Sequence, residues 1–112
     1  MMVQKKRSLL WEILVPTHFS DGKMIPVIFH KKWDEKVRSI TGGLTILKPA
    51  KGQWISPDGI LFVEKMIPVR LICTRPEIVK IINLTLDYYH QRAVLAYALS
   101  SEVILRNSFS SR

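Results

Sequence analysis

Two carboxylates and one guanidinium stand among apolar residues in the two runs most able to form strands. Glu12 lies in residues 8–15, and Glu64 and Arg70 lie in residues 59–73 with Phe62 close by. A carboxylate among apolar neighbours has a raised pKa and can exchange a proton near neutral pH. Arginine presents a planar fork of donors that binds a carboxylate or a phosphate. These residue types predict a binding site for a small anionic ligand.

The same charges also have a structural interpretation. Charged groups persist away from water only when they are paired and hydrogen-bonded. Glu12, Glu64 and Arg70 would then form an ion-pair network inside an interface between two copies of the chain. Both interpretations use the same side chains, and the sequence leaves both open.

A second polar and aromatic cluster, Tyr88-Tyr89-His90-Gln91, closes the second predicted helix. One interpretation places Tyr89, His90 and Gln91, together with Trp54, at the rim of a pocket at the mouth of the sheet. The other gives them structural roles. Tyr89 then packs, His90 lies at the negative end of the helix dipole, and Gln91 satisfies carbonyl groups of the last turn.

The sequence offers no metal or cofactor motif. The three histidines, His18, His30 and His90, have no partner at a spacing typical of metal ligands. Gly42-Gly43 lacks the context of a P-loop or of a dinucleotide-binding turn, and no serine lies in a nucleophile elbow. We expect no metal and no cofactor, and whether the protein is an enzyme stays open at this point.

The run over residues 59–73 must position most of the candidate site. Its odd positions are almost all apolar, and its even positions mix apolar with charged residues, which is typical of a strand with one buried face. Residues 8–15 repeat this pattern. Helices that cover one side of a sheet leave the mixed face open. We therefore expect Glu12, Glu64 and Arg70 to share an open sheet face.

Helical spacing and turn signals predict the elements between these strands. Residues 16–26 hold two prolines and an Asp21-Gly22 turn, which predicts a loop of the kind that often carries function. Apolar residues at helical spacing predict a first helix over residues 30–40. Thr74-Arg75-Pro76-Glu77 is a capping box, and it predicts the start of a second helix.

The remaining segments complete a sheet. Strand signals over residues 44–47 and 53–55 are separated by Pro49-Ala50-Lys51-Gly52, which predicts an interrupted edge strand. Residues 93–99 fit a helix or a strand by propensity, and topology favours a fourth strand. The element order predicts an α+β, ferredoxin-like βαββαβ sandwich. We expect a four-stranded antiparallel sheet with two helices on one face and with the first and third strands as central neighbours.

A succession of uncommon residue types crosses the middle of the chain, namely Gly43-Leu44-Thr45, Gly52-Gln53-Trp54 and Glu64. This pattern resembles a group of small uncharacterised bacterial proteins, a domain of unknown function with a Gly-Leu-Thr, Gly-x-Trp, Glu succession. The resemblance spans residues 33–73. It implies a ferredoxin-like fold, self-association and an importance of Trp54 and Glu64, without an assigned reaction.

Length and charge bound the class of protein. The 112 residues fit one domain over 1–112, and we expect flexible termini at 1–7 and 107–112. The single Cys73 cannot form an internal disulfide, and the apolar run after Arg7 is too short for a signal peptide or a membrane span. We therefore expect a cytoplasmic protein without a membrane partner. The formal net charge of +8 predicts attraction to anions such as nucleic acid.

Three functional hypotheses follow. The first is a self-associating protein, a homodimer, that binds a small anionic ligand on its open sheet face. Apolar residues on that face would otherwise form an exposed patch, namely Leu10, Leu14, Phe62, Met66 and Ile72. The second is binding of single-stranded RNA, which the sequence pI of about 9.9 favours and the carboxylates on the open face oppose.

The third hypothesis is an enzyme of the dimeric α/β barrel kind that acts on a small organic acid. Two sheets that meet face to face can enclose a partly apolar cavity. Arg70 would bind the carboxylate of the substrate, and Glu64 would transfer a proton. The loop over residues 17–24 would cover the entrance.

Overall fold

The computed structural model describes residues 8–106 and Ser108, so the expected flexible ends at 1–7 and 107–112 lie outside the described residues except for Ser108. Within these described residues, two helices and five strands follow one another. They are β1 (Leu9–Pro16), α1 (Val27–Thr41), β2 (Thr45–Ile46), β3 (Ala50–Ile55), β4 (Leu61–Cys73), α2 (Arg75–Tyr88) and β5 (Ala96–Ser100).

The sheet is antiparallel throughout and has β4 and β1 at its centre. β2 and β3 both pair with β4, β1 pairs with the opposite side of β4, and β5 pairs with β1. The α+β ferredoxin-like fold is therefore confirmed, including the central position of the first and third predicted strands. The sheet has five strands because the predicted second strand is divided, and the division lies at residues 47–49, just before β3 begins at Ala50.

Local signals explain the helix boundaries. The capping box forms as predicted, because Thr74 N–H donates to Glu77 Oε1 over 2.9 Å and Glu77 N–H donates to Thr74 Oγ1 over 3.3 Å. α1 starts three residues before the predicted boundary, directly after Pro26. It ends at Gly42, whose φ of 87° is in the left-handed region that favours glycine.

The core lies between the helices and one face of the sheet. The odd positions of β1 and those of β4 from residue 67 onward point into it, and Trp33 and Val37 of α1 and Ile78 and Ile81 of α2 cover them. Trp33 Nε1 donates to Thr85 Oγ1 over 3.0 Å, which joins the two helices. The even positions of β1 and β4 therefore point to the opposite, open face.

The β3–β4 hairpin, residues 50–66, extends past the end of β1. β1 pairs with residues 66–73 of β4, whereas β3 pairs with residues 61–66. Among the described residues, positions 61–65 of β4 thus have a strand partner on one side only. Thr17 at the end of β1 fixes the base of the hairpin, since its hydroxyl donates to the Lys65 carbonyl over 3.1 Å.

Candidate functional site

Three strands bring together one charged cluster at the centre of the open face. Glu12 of β1 is in register with Arg70 of β4 and with Tyr97 of β5. Arg70 Nε donates to Glu12 Oε1 over 3.0 Å, and the Tyr97 hydroxyl donates to Glu12 Oε2. We call Glu12, Arg70 and Tyr97 the sheet-centre cluster.

The electrostatics of this cluster favour an ionised Glu12. The hydrogen bond from Tyr97 holds the pKa of Glu12 below its usual value, burial opposes this effect, and the Arg70 guanidinium adds to it. The same bond raises the pKa of Tyr97. The Glu12 side chain is 11% exposed and that of Arg70 is 44% exposed. Glu12 therefore acts as an acceptor that orients Arg70, and Arg70 offers its remaining donors to the open face.

A second cluster lies on the hairpin. Trp54 of β3 faces Phe62 of β4 in the register, and their rings stack with centroids 4.5 Å apart and planes 14° apart. Trp54 Nε1 donates to Glu64 Oε2 over 3.3 Å. We call Trp54, Phe62 and Glu64 the hairpin cluster.

The hairpin cluster depends on the side-chain alternation of a strand. Phe62 and Glu64 are two residues apart on β4, so they share a face, and that face is continuous with the one that carries Arg70. The residue opposite Glu64 is Gly52, and the Met66 side chain occupies the space above this glycine. A Cβ atom at Gly52 would lie 2.6 Å from Met66 Cε. Trp54 is 48% exposed and Phe62 is 38% exposed, so the stack is open to a partner.

The structure divides the predicted open-face set between these two clusters. Glu12 and Arg70 meet, and Phe62 and Glu64 meet. Glu64 and Arg70 share the open face, but six residues of extended chain separate them by about 20 Å. A small ligand cannot touch both side chains within one copy of the chain.

The predicted pocket rim is divided as well. Tyr89 is buried in the helix layer, where its ring packs against Phe29 and Trp33. Its hydroxyl lies 2.7 Å from His30 Nδ1, and burial raises the pKa of Tyr89. Trp54, by contrast, belongs to the hairpin cluster on the open face of the sheet, opposite the helix layer.

His90 and Gln91 follow the end of α2, directly after Tyr89. His90 is exposed and has a φ of 54°. Gln91 N–H donates to the Leu86 carbonyl over 3.0 Å, which satisfies a carbonyl of the last turn. These contacts correspond to the structural interpretation of the segment rather than to a rim around Trp54.

Tyr97 is not among the site residues predicted from the sequence. The signal was present, because Tyr97 alternates with Ala96 and Ala98 in the predicted fourth strand. A strand beside β1 places one parity of its side chains on the open face. The register that sets Tyr97 opposite Glu12 depends on an irregularity between Leu10 and Trp11, and no sequence pattern predicts that feature.

Among residues 8–106 and 108, no three histidine, cysteine, aspartate or glutamate side chains come together in a group suited to a metal ion. Within the same part of the chain, neither helix has the length and apolar character needed to cross a bilayer.

Comparison with solved structures shows the fold alone. The chain is similar to a phage SAM lyase in complex with S-methyl-5'-thioadenosine, with a TM-score of 0.64 and 12% identity over 90% of this chain and 88% of the other. It is equally similar to the periplasmic divalent cation tolerance protein CutA from Archaeoglobus fulgidus, with a TM-score of 0.64 and 9% identity over 88% of each chain. CutA1 from Oryza sativa gives a TM-score of 0.63 and 10% identity over 89% of this chain and 83% of the other. No family model and no curated protein matches the sequence.

Proposed function

We propose that this protein assembles with copies of itself and binds a small ligand with an anionic group on its open sheet face. The observation that carries the proposal is the open face itself. It presents an oriented, half-exposed guanidinium at Arg70, and it continues into a hairpin whose apolar side chains are uncovered.

The hairpin supports self-association. Ile55, Leu61 and Val63 are 68%, 57% and 53% exposed on one side of the ribbon. Trp54 and Phe62 are exposed on its other side. A ribbon that is apolar on both sides and has an open backbone edge at residues 61–65 favours pairing with another chain. We take this other chain to be a second copy of the same protein, because most soluble oligomers are homo-oligomers.

The sheet-centre cluster supports the anionic ligand. Glu12 engages Arg70 through Nε, so the two terminal amino groups of the guanidinium can form a forked contact with a carboxylate. Because ionised Glu12 offsets the charge of Arg70, the contact derives its strength from geometry rather than from net charge. Ile72 on the same strand is 38% exposed and adds apolar surface beside the guanidinium. A small organic acid with an apolar body fits this surface.

Self-association would also complete the site. Glu64 lies about 20 Å from Arg70 in one chain. If the hairpin of one copy lies on the open face of another, Glu64, Trp54 and Phe62 of the first copy approach Arg70 of the second. The predicted set would then act together across the interface.

Thermal-shift titration with small carboxylates tests the ligand. We expect acetate and larger organic acids to raise the melting temperature of the wild type. They should leave that of Arg70→Ala unchanged, because this variant lacks the guanidinium that forms the forked contact. Lys48→Ala, which removes an exposed cation outside the cluster, is the matched control and should respond like the wild type. An equal response of Arg70→Ala and Lys48→Ala would show that the acids bind elsewhere.

An enzyme with a substrate other than the predicted small organic acid has one specific observation in its favour. The hairpin cluster combines exposed aromatic rings with a carboxylate, and this combination suits a cationic centre. One of the fold neighbours is a SAM lyase that holds S-methyl-5'-thioadenosine. The test is chromatographic detection of S-methyl-5'-thioadenosine after incubation with SAM. We expect formation above the protein-free rate with the wild type and only the protein-free rate with Glu64→Gln. The protein-free rate with both proteins would remove this alternative.

The hypothesis of single-stranded RNA binding has less support on the open face. Trp54 and Phe62 stack on one another instead of standing apart, and Glu64 lies beside them. Base stacking on a sheet requires exposed aromatic faces with cations close by.

A further inference from the structure

A corner of the helix layer outside the proposed ligand site is both apolar and cationic. It consists of Met24 in the loop before α1 and of Val27, Ile28, Lys31 and Lys32 in its first turns, and we call it the α1 corner. Met24, Val27 and Ile28 are 71%, 68% and 62% exposed, and both lysines are exposed. A group of exposed aliphatic side chains on one surface often marks a binding site.

The α1 corner is a fixed surface rather than a loose loop. Ile25 is 3% exposed, and its N–H donates to the Thr17 carbonyl over 3.0 Å. The Phe29 ring packs edge-on against Phe19, with centroids 5.3 Å apart. Because Ile25 and Phe29 anchor the chain on the inner side, Met24, Val27 and Ile28 are held outward.

Helical spacing places the cations in the same outward stripe. Lys31 and Lys32 follow Val27 and Ile28 by four residues each, which is about one turn. The first turn of α1 has no acidic residue to offset the positive end of the helix dipole, and the acidic residue that follows on this stripe is Glu35, four residues after Lys31. Lys23 adds a further exposed cation beside Met24. The α1 corner therefore fits a partner that is anionic and can accept aliphatic side chains.

We propose that the α1 corner is a peripheral docking surface for an anionic lipid membrane. Met24, Val27 and Ile28 enter the headgroup region, and Lys31 and Lys32 contact anionic headgroups. The sequence prediction of no membrane partner rested on the lack of a spanning segment, and a peripheral contact requires none.

Charge distinguishes this partner from the alternatives. A second copy that met this surface through its own α1 corner would place lysines against lysines, which opposes that contact. Nucleic acid would pair with the lysines but offers no apolar layer for Met24, Val27 and Ile28. An anionic bilayer satisfies both parts of the surface.

Vesicle flotation of the full chain tests the proposal. The probes are vesicles of phosphatidylcholine alone and vesicles with added phosphatidylglycerol. We expect binding to the anionic vesicles to be roughly ten-fold stronger, and to weaken with added salt. Val27→Ser/Ile28→Ser and Lys31→Gln/Lys32→Gln should each weaken it by about five-fold or more. The matched control is Val79→Ser/Lys80→Gln, which removes an exposed aliphatic and a lysine from α2 and should bind like the wild type.

Three results would overturn the proposal. They are a lack of binding to anionic vesicles, equal binding to neutral ones, and binding by both corner variants that equals that of the control. Circular dichroism establishes that each variant is folded. A change in mass of a corner variant in sedimentation without vesicles would also reject membrane docking, because the corner would then be a contact between copies.

Discussion

The two clusters on the open face each combine a carboxylate with an aromatic side chain, but they differ in how far the chain itself satisfies and covers their side chains. The sheet-centre cluster lies between three paired strands, and both Glu12 oxygens have partners there. The hairpin cluster lies on a two-stranded ribbon, and its aromatic stack is largely open. A charge in the centre of the sheet is satisfied by its own chain, whereas the hairpin presents groups that another molecule can complete. The first cluster should thus affect folding and the second assembly.

The largest expected effect is on assembly. Phe62→Glu introduces a charge into the apolar side of the hairpin, so we expect it to convert the assembled protein into a monomer. Sedimentation velocity measures the mass. Val79→Glu, on the exposed side of α2, is the control and should leave the assembly intact. A wild type that is already a monomer at micromolar concentration would contradict the proposed self-association.

Removal of Glu12 should have the largest effect on stability. Glu12→Ala deprives Arg70 and Tyr97 of their hydrogen-bond acceptor, and we expect the free energy of unfolding to fall by about 2 kcal/mol. The loss is no larger because the exposed Arg70 can form hydrogen bonds with water instead. Glu64→Ala should cost less than about 0.5 kcal/mol. Urea unfolding in the Phe62→Glu background avoids coupling to assembly. Equal losses for the two variants would remove the distinction between the clusters.

Acidification should weaken the folded state in two steps. Burial lowers the pKa of His30, so the folded state favours neutral His30, and stability falls as the pH drops below the unfolded value of 6.5. The folded pKa of Glu12 is also lowered, so its contribution is complete above the unfolded value of 4.5 and is lost as the pH falls through the folded pKa. Protonation keeps the shape of Glu12, so this loss should be smaller than that of Glu12→Ala.

Urea midpoints at a series of pH values separate the two groups. In the Phe62→Glu background, Glu12→Gln should flatten the profile below pH 4.5 and leave the part near pH 6 unchanged. His30→Gln should do the reverse. A profile that both variants leave unaltered would assign the acid sensitivity to other groups.

The same contrast explains what the sequence could predict. The two-residue alternation in β1 and β4 identified the open face and placed Glu12 and Arg70 on it, because a strand fixes which side each residue faces. Thr74 and Glu77 marked the start of α2 through their own hydrogen bonds. These features depend on local geometry or on the pairing of two long strands.

Non-local features were not predictable from the sequence. The six-residue spacing of Glu64 and Arg70 fixes their separation along β4. What the sequence does not show is that the pairing with β1 stops at Met66, short of Glu64, because this depends on the register that sets Pro16 opposite Met66. The burial of Tyr89 depends on how α1 and α2 pack, through the contact with His30. No local pattern in the sequence specifies either arrangement.

The smallest expected effect concerns Tyr97, and it shows whether the third strand completes the sheet-centre cluster. Tyr97→Phe removes one hydroxyl and keeps the ring, so Glu12 loses a hydrogen bond but retains Arg70. We expect a loss of about 1 kcal/mol in urea unfolding and a rise in the pKa of Glu12. Carboxyl NMR titration measures that pKa, and a merely steric role of Tyr97 would leave it unchanged. In Tyr97→Phe, Glu12 would be less ionised at low pH and would orient Arg70 less well. As the pH is lowered, carboxylate binding by this variant should therefore weaken at a higher pH than the one at which the fold is lost. An unchanged Glu12 pKa would mean that Arg70 alone holds the carboxylate, and that β5 closes the sheet without contributing to the site.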